Sequence, residues 1–461
     1  MKRKFKLNTT NLISKSALLL FASISLLFTS CDKDQQVTNG SQITNGSDKI
    51  QLLSAFDISP NTIGLEEKIS GEINHENGTI SLSIEEELSY KSEKLIKSLV
   101  PSVSIPEGIQ ISPLATEPQD FTNPVKYTVT DEKGNSKEYT VTLSYNLKKF
   151  ISKWNLSADK TIILPIYDGG DYDFTVDWGD DTEKQNITSH NDPNTSHIYK
   201  TSGEKTITIT GKIEGFNFGK VFSCKRTSPP SSGCSNTDKI IGISSWGDLK
   251  FGNIGSYFKH CANLNTLPSD APDLQGVTDM SNMFYGAINF NSNINNWDVS
   301  KVNNMKSMFS ATENFNQNLN NWDVSKVINM SGMFQFAKAF DGNISNWIVS
   351  NVRDMSGMFN GAISFNQNIS LWTVSNVTNM FNMFAEAAKF NCNIKDWKVS
   401  KVKYMSNMFC GATSFSQNLK SWTLSEAAKK STNMFLNSAM GTNSDTNFTN
   451  KPEGINKLTS V

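Results

Sequence analysis

The chain has 461 residues, of which 37% are hydrophobic and 10% aromatic, and its formal net charge at neutral pH is −1. The apolar content is too high for a disordered protein, and a near-zero net charge supplies no electric field that would attract nucleic acid or an anionic membrane. We therefore expect a folded, multi-domain protein with no nucleic-acid partner.

Residues 1–30 have the composition of a bacterial signal peptide. Four basic side chains within residues 2–6 precede the apolar run ALLLFASISLLF at residues 17–28. That run is too short to cross a bilayer as a helix and is typical of the apolar region of an export signal. The sequence therefore predicts export from the cytoplasm.

The export signal ends in FTSC, and the small residues before Cys31 resemble the lipobox at which bacterial signal peptidase cleaves and the cysteine is lipidated. The resemblance implies that acyl chains on Cys31 anchor the protein to a membrane. Residues 31–49 are polar and typical of a flexible tether, and their acidic start resembles the surface-export signal of Bacteroidetes lipoproteins. We therefore expect a lipid-anchored, surface-exposed protein of the outer membrane. The alternative is an ordinary cleaved signal with an incidental cysteine.

Residues 50–146 alternate apolar and polar side chains in several short runs, which is the pattern of strands with one buried face. The runs KYTVT and EYTVTLSY flank DEKGNSK, so we predict a hairpin that places Tyr127 and Val129 on the same face as Tyr139 and Val141. The pattern favours an antiparallel β-sandwich. The segment resembles the immunoglobulin-like module that follows the lipid anchor in many Bacteroidetes surface lipoproteins.

Residues 147–240 form a second segment that is rich in predicted strands. FTVDWGDDT and SHIYKTSGEKTITITG resemble the two signature stretches of the PKD domain, which implies a small β-sandwich. Asp181 stands where that family has a second glycine, and Lys205 stands where it has a tyrosine. The positions that match the family are Trp178, Gly179, Asp180, His197, Tyr199 and Gly203.

Carboxylates are concentrated in YDGGDYDFTVDWGDD at residues 167–181. Their oxygens are calcium ligands by type, but the spacing is not that of an EF-hand loop and the stretch contains a predicted strand, so turn and surface roles are favoured. The four histidines are scattered, and no His or Cys cluster has the spacing of a metal site. We predict no metal, no cofactor and no catalytic residues.

Five cysteines follow Cys31, and their odd number excludes complete pairing among themselves. Cys224 and Cys234 flank the loop KRTSPPSSG and are candidates for a local disulfide in an oxidising compartment. Cys392 and Cys410 occupy positions held by polar or small residues in sister repeats, so we expect neither a catalytic nor a metal-binding role for them.

The C-terminal half is a repeat array. Six tryptophans recur at intervals of 25 residues without insertion or deletion, which is the mark of units that bury their apolar faces against their neighbours. Each unit contains I-x-x-W-x-V, which predicts a short strand, and M-x-x-M-F-x-x-A, which predicts a helical or 3₁₀ turn. The six residues are Trp297, Trp322, Trp347, Trp372, Trp397 and Trp422.

Columns of other residues accompany the tryptophans. The methionine columns favour flexible core filling over a metal site. For the asparagine column that begins at Asn293, hydrogen bonding within the array is favoured over ligand binding, because regular ladders suit internal bonding.

We place the repeats at residues 277–426, an N-terminal cap at 241–276, and a C-terminal cap and tail at 427–461. The N-terminal cap contains F-x-x-C-x-x-L-x-x-L-P, which resembles one turn of a BspA-type leucine-rich repeat. The repeats themselves, as in VTDMSNMFYGAINFNSNINNWDVS, resemble the BspA-like leucine-rich-repeat surface proteins. The expected fold is mainly β, with two β-sandwich modules followed by an LRR-like solenoid of 25-residue repeats.

The residues next to each Trp are polar in most repeats, which predicts an outward-facing polar surface. Asp298 and Asp323 follow Trp in two repeats, but Ile348 replaces them in the next repeat, and Leu371 replaces asparagine one repeat later. A small apolar centre within a polar rim has the composition of a protein-binding site, and random surface drift is the alternative. These four residues are our candidate partner-binding surface.

The BspA resemblance implies adhesion or recognition and supplies no catalytic residues. A glycosidase needs two facing carboxylates, whereas the position of Asp298 and Asp323 is not acidic in later repeats. We therefore expect a non-enzymatic surface lipoprotein whose repeats bind an extracellular or cell-surface protein. The alternative is a glycan-binding lipoprotein of a polysaccharide-uptake system, in which exposed aromatic side chains form the site.

Overall fold

The computed structural model describes residues 53–221, 236–441 and 450–455, which belong to one compact unit. The predicted lipidation site Cys31 and the predicted pair of Cys224 and Cys234 lie outside the described residues. Within the described ranges, no helix has both the length and the apolar character needed to span a bilayer.

The first module contains two sheets and two short helices. Its elements are β1 (Ala55–Ile58), α1 (Pro60–Ile63), β2 (Ile69–Ser70), β3 (Glu72–Asn74), β4 (Thr79–Leu88), α2 (Tyr90–Ile96), β5 (Ser102–Ser104), β6 (Gln110–Ser112), β7 (Val125–Thr130) and β8 (Ser136–Leu147). One sheet has the order β2-β1-β5, and the other has the order β3-β4-β8-β7-β6. The module is therefore mainly β, as expected.

The predicted hairpin is confirmed, because β7 and β8 pair in antiparallel orientation with Tyr127 opposite Tyr139. Val129 and Val141 are buried with these two tyrosines in the core of the module. The expectation of a wholly antiparallel arrangement is wrong, since β4 and β8 run parallel. The chain between them contains α2, β5, β6 and β7, which supplies the long crossover that a parallel pair requires.

The second module is built around a six-stranded sheet. Its elements are β9 (Lys149–Leu156), β10 (Thr161–Ile163), β11 (Ile166–Asp177), β12 (Gln185–Ile187), a 3₁₀ turn (Pro193–Thr195), β13 (Ser196–Ile198), β14 (Gly203–Phe216), α3 (Phe218–Val221), β15 (Ile240–Trp246) and β16 (Leu249–Lys250). The sheet has the order β12-β11-β14-β9-β15, with β16 beside β14, and β10 pairs separately with β13. The predicted boundary at residue 240 therefore needs correction, because β15 crosses it and pairs with β9.

The residues that resemble the PKD signature form one cluster. The His197 ring stacks on Trp178 with ring centroids 4.9 Å apart, and His197 Nε2 lies 2.8 Å from Asp180 Oδ2. The Tyr199 hydroxyl donates to the Trp178 carbonyl over 2.8 Å. Asp181 adopts a left-handed φ of 62°, a backbone conformation that glycine adopts without steric cost.

The acidic segment of this module is engaged in local contacts. Asp171 pairs with Lys212, Asp177 pairs with Lys184 at 3.2 Å, and the Asp177 carboxylate also accepts from the Gly179 amide. No group of three or more potential metal ligands exists among the described residues. These contacts support the turn and surface roles predicted for the aspartates.

Successive repeats lie side by side through backbone contacts in the Met-containing turns. Asp279 forms an isolated parallel bridge with Asn304, and the same bridge recurs in later repeats. The Met280 amide donates to the Asn304 carbonyl over 2.9 Å, and the Phe284 amide donates to the Met308 carbonyl over 2.8 Å. Each repeat is therefore joined to the next by a short ladder of backbone hydrogen bonds.

The strand predicted at I-x-x-W-x-V is wrong. This segment is a turn, in which the Trp322 amide donates to the Leu319 carbonyl over 3.1 Å. Burial still alternates as predicted, since Trp322 and Val324 are buried while Asp323 is exposed. The M-x-x-M-F segment has the predicted turn hydrogen bonds between residues three apart but forms no helix.

The apolar columns form a continuous core. Phe334 stacks on Phe359 with ring centroids 5.7 Å apart, and Trp347 stacks on Trp372 at 6.1 Å. The indoles of the last five tryptophans of the column also anchor the preceding repeat, as where Trp347 Nε1 donates to the Leu319 carbonyl over 2.8 Å. The columns therefore combine apolar burial with a hydrogen bond from each of these five indoles.

Asparagine side chains accept hydrogen bonds from backbone amides of the turns, as the sequence predicts. The Asn343 side-chain oxygen accepts from the Ser345 amide over 3.0 Å. A second ladder joins successive repeats, because Asn316 accepts from the Asp341 amide and Asp341 accepts from the Asn366 amide, each over 2.8 Å.

The array packs directly on the second module and continues beyond its predicted end. A single hydrophobic cluster runs from Phe150 in β9 to Met440. Phe435 stacks on Phe409 at 5.5 Å although it follows a one-residue insertion, and the Lys451 ammonium lies 5.2 Å from the Phe435 ring centroid. The apolar packing therefore extends past residue 426.

Candidate functional site

A groove forms at the M-x-x-M-F turns of successive repeats. Small residues follow the first methionine of the turn in most of these repeats. The second residue after that Met adopts a left-handed φ in most repeats, and in two repeats it is a glycine, Gly332 or Gly357. A Cβ atom added to Gly357 would meet nothing closer than 3.9 Å. The missing side chains leave open space above this part of the array.

This space is a cavity of about 300 Å³. It is lined mainly by hydroxyl, amide and charged groups, with a single aromatic side chain among the described residues. The side chains that matter for its chemistry are those of Lys306, Gln335, Asp354, Ser356, Phe381 and Asn382.

Phe381 breaks a column of polar residues. The equivalent position is serine in four sister repeats and Lys306 in another, yet Phe381 leaves 42% of its surface exposed at the groove wall. Its backbone is held in place, since the Gly357 amide donates to the Phe381 carbonyl over 2.8 Å. An exposed aromatic ring beside polar groups is a suitable surface for an amphipathic ligand.

Asn382 presents an acceptor without a partner. Its side-chain oxygen is buried and makes no hydrogen bond, while its backbone adopts a left-handed φ of 56°. Leaving a buried acceptor unsatisfied costs roughly 1–3 kcal/mol, so such groups are rare in folded proteins. Because the oxygen is buried, a hydroxyl donor on a bound molecule would satisfy it after the Asn382 side chain turned toward the groove.

Asp354, which lines the same groove, is held in a fixed orientation. One carboxylate oxygen accepts from the Ser356 amide over 2.8 Å and from the Ser356 hydroxyl over 2.6 Å. The other oxygen accepts from the Asn379 amide group over 3.3 Å, which leaves it with spare acceptor capacity. The groove therefore offers an oriented acceptor from Asp354, and the buried oxygen of Asn382 belongs to a second residue of its lining.

Two further exposed aromatic side chains lie on repeats near the groove. Tyr404 is 62% exposed and pairs through its backbone with Asn379, two residues before Phe381. Phe336 follows the groove residue Gln335 and is also exposed. Phe381 and Tyr404 each depart from a column of polar residues, so a comparison of the repeats can identify them from the sequence. The sequence analysis predicted neither of them as a site residue.

The predicted partner-binding residues lie on the turn that contains Trp, not in the groove. Ile348 and Leu371 are 61% and 87% exposed, so both project into solvent as expected. Asp298 and Asp323 are exposed and accept from the amides of the second following residues over 3.0 Å. The structure therefore contains two separate exposed features on the array.

Two family models match parts of the chain. Residues 252–362 and 336–448 match a family described as "Mycoplasma protein of unknown function, DUF285", and residues 53–143 match "SGBP, N-terminal". Neither match covers half of the chain. Together they indicate an extracellular or cell-surface protein.

No curated protein sequence matches the chain significantly. Among solved structures, a provisionally assigned glycoside hydrolase from Bacteroides thetaiotaomicron is 21% identical with a TM-score of 0.16, and the match covers 32% of this chain and 37% of that one. A provisionally assigned secreted protein from Bacteroides fragilis is 20% identical with a TM-score of 0.14, and the match covers 20% of this chain and 91% of that one. These scores are too low to carry a structural argument.

Proposed function

We propose that the protein binds glycans at the cell surface, with the repeat array acting as a solenoid that presents the groove around Phe381. The family match of the first module supports this, because the name SGBP denotes surface glycan-binding proteins. The observation that carries the proposal is the exposed Phe381 ring next to the unpartnered Asn382 oxygen.

The chemistry of the groove suits a sugar. A sugar ring has an apolar face of C–H groups that stacks on an aromatic ring, and its hydroxyls donate to carbonyl and carboxylate oxygens. Phe381 supplies the ring, while Asn382 and Asp354 supply acceptors within the same cavity. A polar groove with one aromatic wall therefore favours a carbohydrate over a purely apolar ligand.

The proposed role is binding without catalysis. Hydrolysis of a glycosidic bond generally uses two carboxyl groups at a defined separation. Asp354 is the one carboxylate among the described residues that line the groove. One of its oxygens is already occupied by Ser356.

We further propose that lipidation of Cys31 anchors the protein in the outer membrane, with the two N-terminal modules, as immunoglobulin-like and PKD-like sandwiches, carrying the array. Adhesion to a protein partner is a second candidate function, favoured by the exposed Ile348 and Leu371. The family match gives glycan binding the stronger support.

A binding screen with immobilised xylan, mannan, β-glucan and pectin tests the proposal. We expect the full chain to be retained by at least one polysaccharide and Phe381→Ser to weaken that retention about tenfold, as an aromatic contact of ~1.5 kcal/mol implies. Serine occupies this position in Ser331 and Ser356, so the variant should fold normally.

Leu371→Asn is the matched control, because asparagine occupies that position in three sister repeats and the residue lies outside the groove. It should bind as the natural chain does. Absence of binding to every polysaccharide, or weakened binding by the control alone, would contradict the proposed site.

A further inference from the structure

Two columns of residues that run along the array face the groove around Phe381. One column contains Asp354, Asn379 and Tyr404, which backbone bridges place side by side in successive repeats. The other column contains Ser356 and Phe381. Asp354 and Ser356 both line the cavity, and the methionine between the two columns is buried in every repeat, so both columns lie on the same face of the array.

The groove extends along the array. Its lining begins at Lys306 in one repeat and reaches Phe381, which occupies the same column three repeats later. Because neighbouring paired backbones lie about 4.8 Å apart, these two positions are separated by roughly 14 Å. A site of this length accommodates several units of an extended chain and exceeds the length of one sugar ring.

Tyr404 continues this surface by one further repeat. Its side chain is 62% exposed, and the Met380 amide donates to its carbonyl over 2.8 Å, which fixes its backbone beside the repeat of Phe381. Tyr404 is bridged to Asn379, two residues before Phe381, so the Cα atoms of Tyr404 and Phe381 are roughly 8 Å apart. Two exposed aromatic side chains therefore lie on neighbouring repeats of one face.

Small side chains leave both ends of the surface open. In the column of Phe381, the repeat before the groove has Ser281 and the repeat after it has Ser406. Neither serine is large enough to block a chain that continues past the groove. The surface therefore admits a ligand that is longer than the groove itself.

We propose that this surface binds the interior of a linear polysaccharide that lies along the repeats, with Tyr404 as a second stacking residue beside Phe381. The inference rests on the proposed glycan-binding function and adds the form of the glycan and a further binding residue. The two aromatic rings contact the apolar faces of sugars, and hydroxyls of sugars further along the groove donate to the spare oxygen of Asp354.

The open surface favours a long chain over a small sugar. Sites for small ligands bury most of the ligand surface, which requires enclosing walls. Phe381 and Tyr404 instead present rings that are 42% and 62% exposed on adjacent repeats. Such a surface gains affinity by adding contacts along an extended ligand, because each repeat supplies the next contact at a fixed spacing.

Calorimetric titration of the full chain tests the inference. The ligands are a disaccharide, a tetrasaccharide and an octasaccharide of xylan, mannan, β-glucan or pectin, whichever polysaccharide retains the protein. We expect affinity to rise with length through the octasaccharide. Tyr404→Asn should weaken octasaccharide binding about tenfold, as the loss of one aromatic contact implies.

Matched variants separate stacking from folding. Asparagine occupies the position of Tyr404 at Asn304, Asn329 and Asn379, so Tyr404→Asn should fold normally. Tyr404→Phe keeps the ring and should bind as the natural chain does, and so should Leu371→Asn, which lies outside the groove.

A chemical change at the end of the ligand tests whether the interior of the chain is bound. An octasaccharide whose terminal sugar is reduced to the open-chain alditol should bind as tightly as the intact one, because the protein contacts the sugars between the two ends. Loss of binding on reduction would overturn the inference.

The inference also fails if affinity does not rise beyond the disaccharide or if Tyr404→Asn binds the octasaccharide as the natural chain does. In these cases the natural chain still binds a sugar, so the proposed glycan-binding function stands. A natural chain that binds none of the saccharides contradicts the proposed function itself, and the inference falls with it.

Discussion

Left-handed backbone positions in the repeats show how single residues are constrained. Phe336 adopts a φ of 58° at a position where Gly286, Gly361 and Gly411 stand in sister repeats. Its ring lies over Gly361 of the next repeat, where an added Cβ would overlap with Phe336 Cδ1. The bulky residue is thus accommodated because the following repeat has no side chain at that point.

Gly361→Ala should destabilise the protein more than Gly357→Ala. Both glycines have positive φ, so either alanine costs about 1–2 kcal/mol of backbone strain. Only Gly361→Ala also collides with Phe336, which should add about 1–3 kcal/mol. Urea denaturation of the two variants measures the difference, and equal losses would show that Phe336 does not pack on Gly361.

Some residues of the candidate site could be predicted from the sequence and others could not. Phe381 and Tyr404 depart from polar columns, so a comparison of repeats could have found them. The unsatisfied oxygen of Asn382 could not have been found, because asparagine is common at left-handed positions and its hydrogen bonding depends on the surrounding fold. Whether a polar side chain finds a hydrogen-bond partner depends on the assembled array.

At the scale of elements, the repeat period predicts how side chains pack more accurately than it predicts secondary structure. The period of 25 residues correctly predicts that tryptophans stack on tryptophans and phenylalanines on phenylalanines. It does not identify which backbone segment joins the repeats, because alternating burial around Trp322 arises in a turn. The backbone ladder lies instead at the Met-containing turns.

Trp347→Ala should destabilise the protein by about 3–5 kcal/mol. The substitution removes a buried aromatic side chain from the middle of the column and removes one of the two donors to the Leu319 carbonyl, which keeps only the Trp322 amide. Leu371→Ala, which truncates an exposed side chain one repeat later, should change stability by less than about 0.5 kcal/mol. Chemical denaturation compares the two, and a loss below about 1 kcal/mol for Trp347→Ala would contradict its role in the core.

The contact between the first module and the second contains a half-buried carboxylate. Asp248 accepts from the backbone amide of Tyr90 at the start of α2 over 2.7 Å. Burial raises the pKa of Asp248, although this hydrogen bond and Lys148 act in the opposite direction. The ionised carboxylate is therefore less favourable in the folded protein than in the unfolded chain.

Asp248→Asn should raise the thermal midpoint at pH 7. A carboxyl group with a raised folded pKa contributes its full stability below its unfolded pKa and loses it as pH rises through the folded pKa. Asparagine keeps the acceptor for Tyr90 without the charge, so the two proteins should converge below about pH 4. Thermal unfolding between pH 3 and 8, chosen to bracket the carboxyl pKa of about 4, tests this sign, and a midpoint lowered at pH 7 would refute it.

At the scale of the whole molecule, the sequence indicates where the repeats lie but not how they join the preceding sheet. The change from period-two alternation to the 25-residue repeat locates the array. It does not show that β15 and β16 belong to the preceding sheet or that the array shares a core with the second module. Strand pairing between distant segments has no signature in local periodicity.

Cys31→Ala should release the protein from the outer-membrane fraction. We propose Cys31 as the acylated residue on the strength of the lipobox resemblance, and stable membrane retention requires more than one acyl chain. Cell fractionation with fatty-acid labelling measures both consequences in the same cells. A variant that still carries label and still sediments with membranes would exclude Cys31 as the anchor.

The most direct test of the proposed function is calorimetric titration of the full chain with an oligosaccharide prepared from the polysaccharide that retains it. Asn382→Gly removes the unpartnered oxygen while keeping a residue that tolerates the left-handed backbone, as Gly332 and Gly357 do at the same position. We expect Asn382→Gly and Phe381→Ser each to weaken binding by about tenfold, which corresponds to ~1.4 kcal/mol per contact. Unchanged affinity in both variants would contradict a glycan site in this groove.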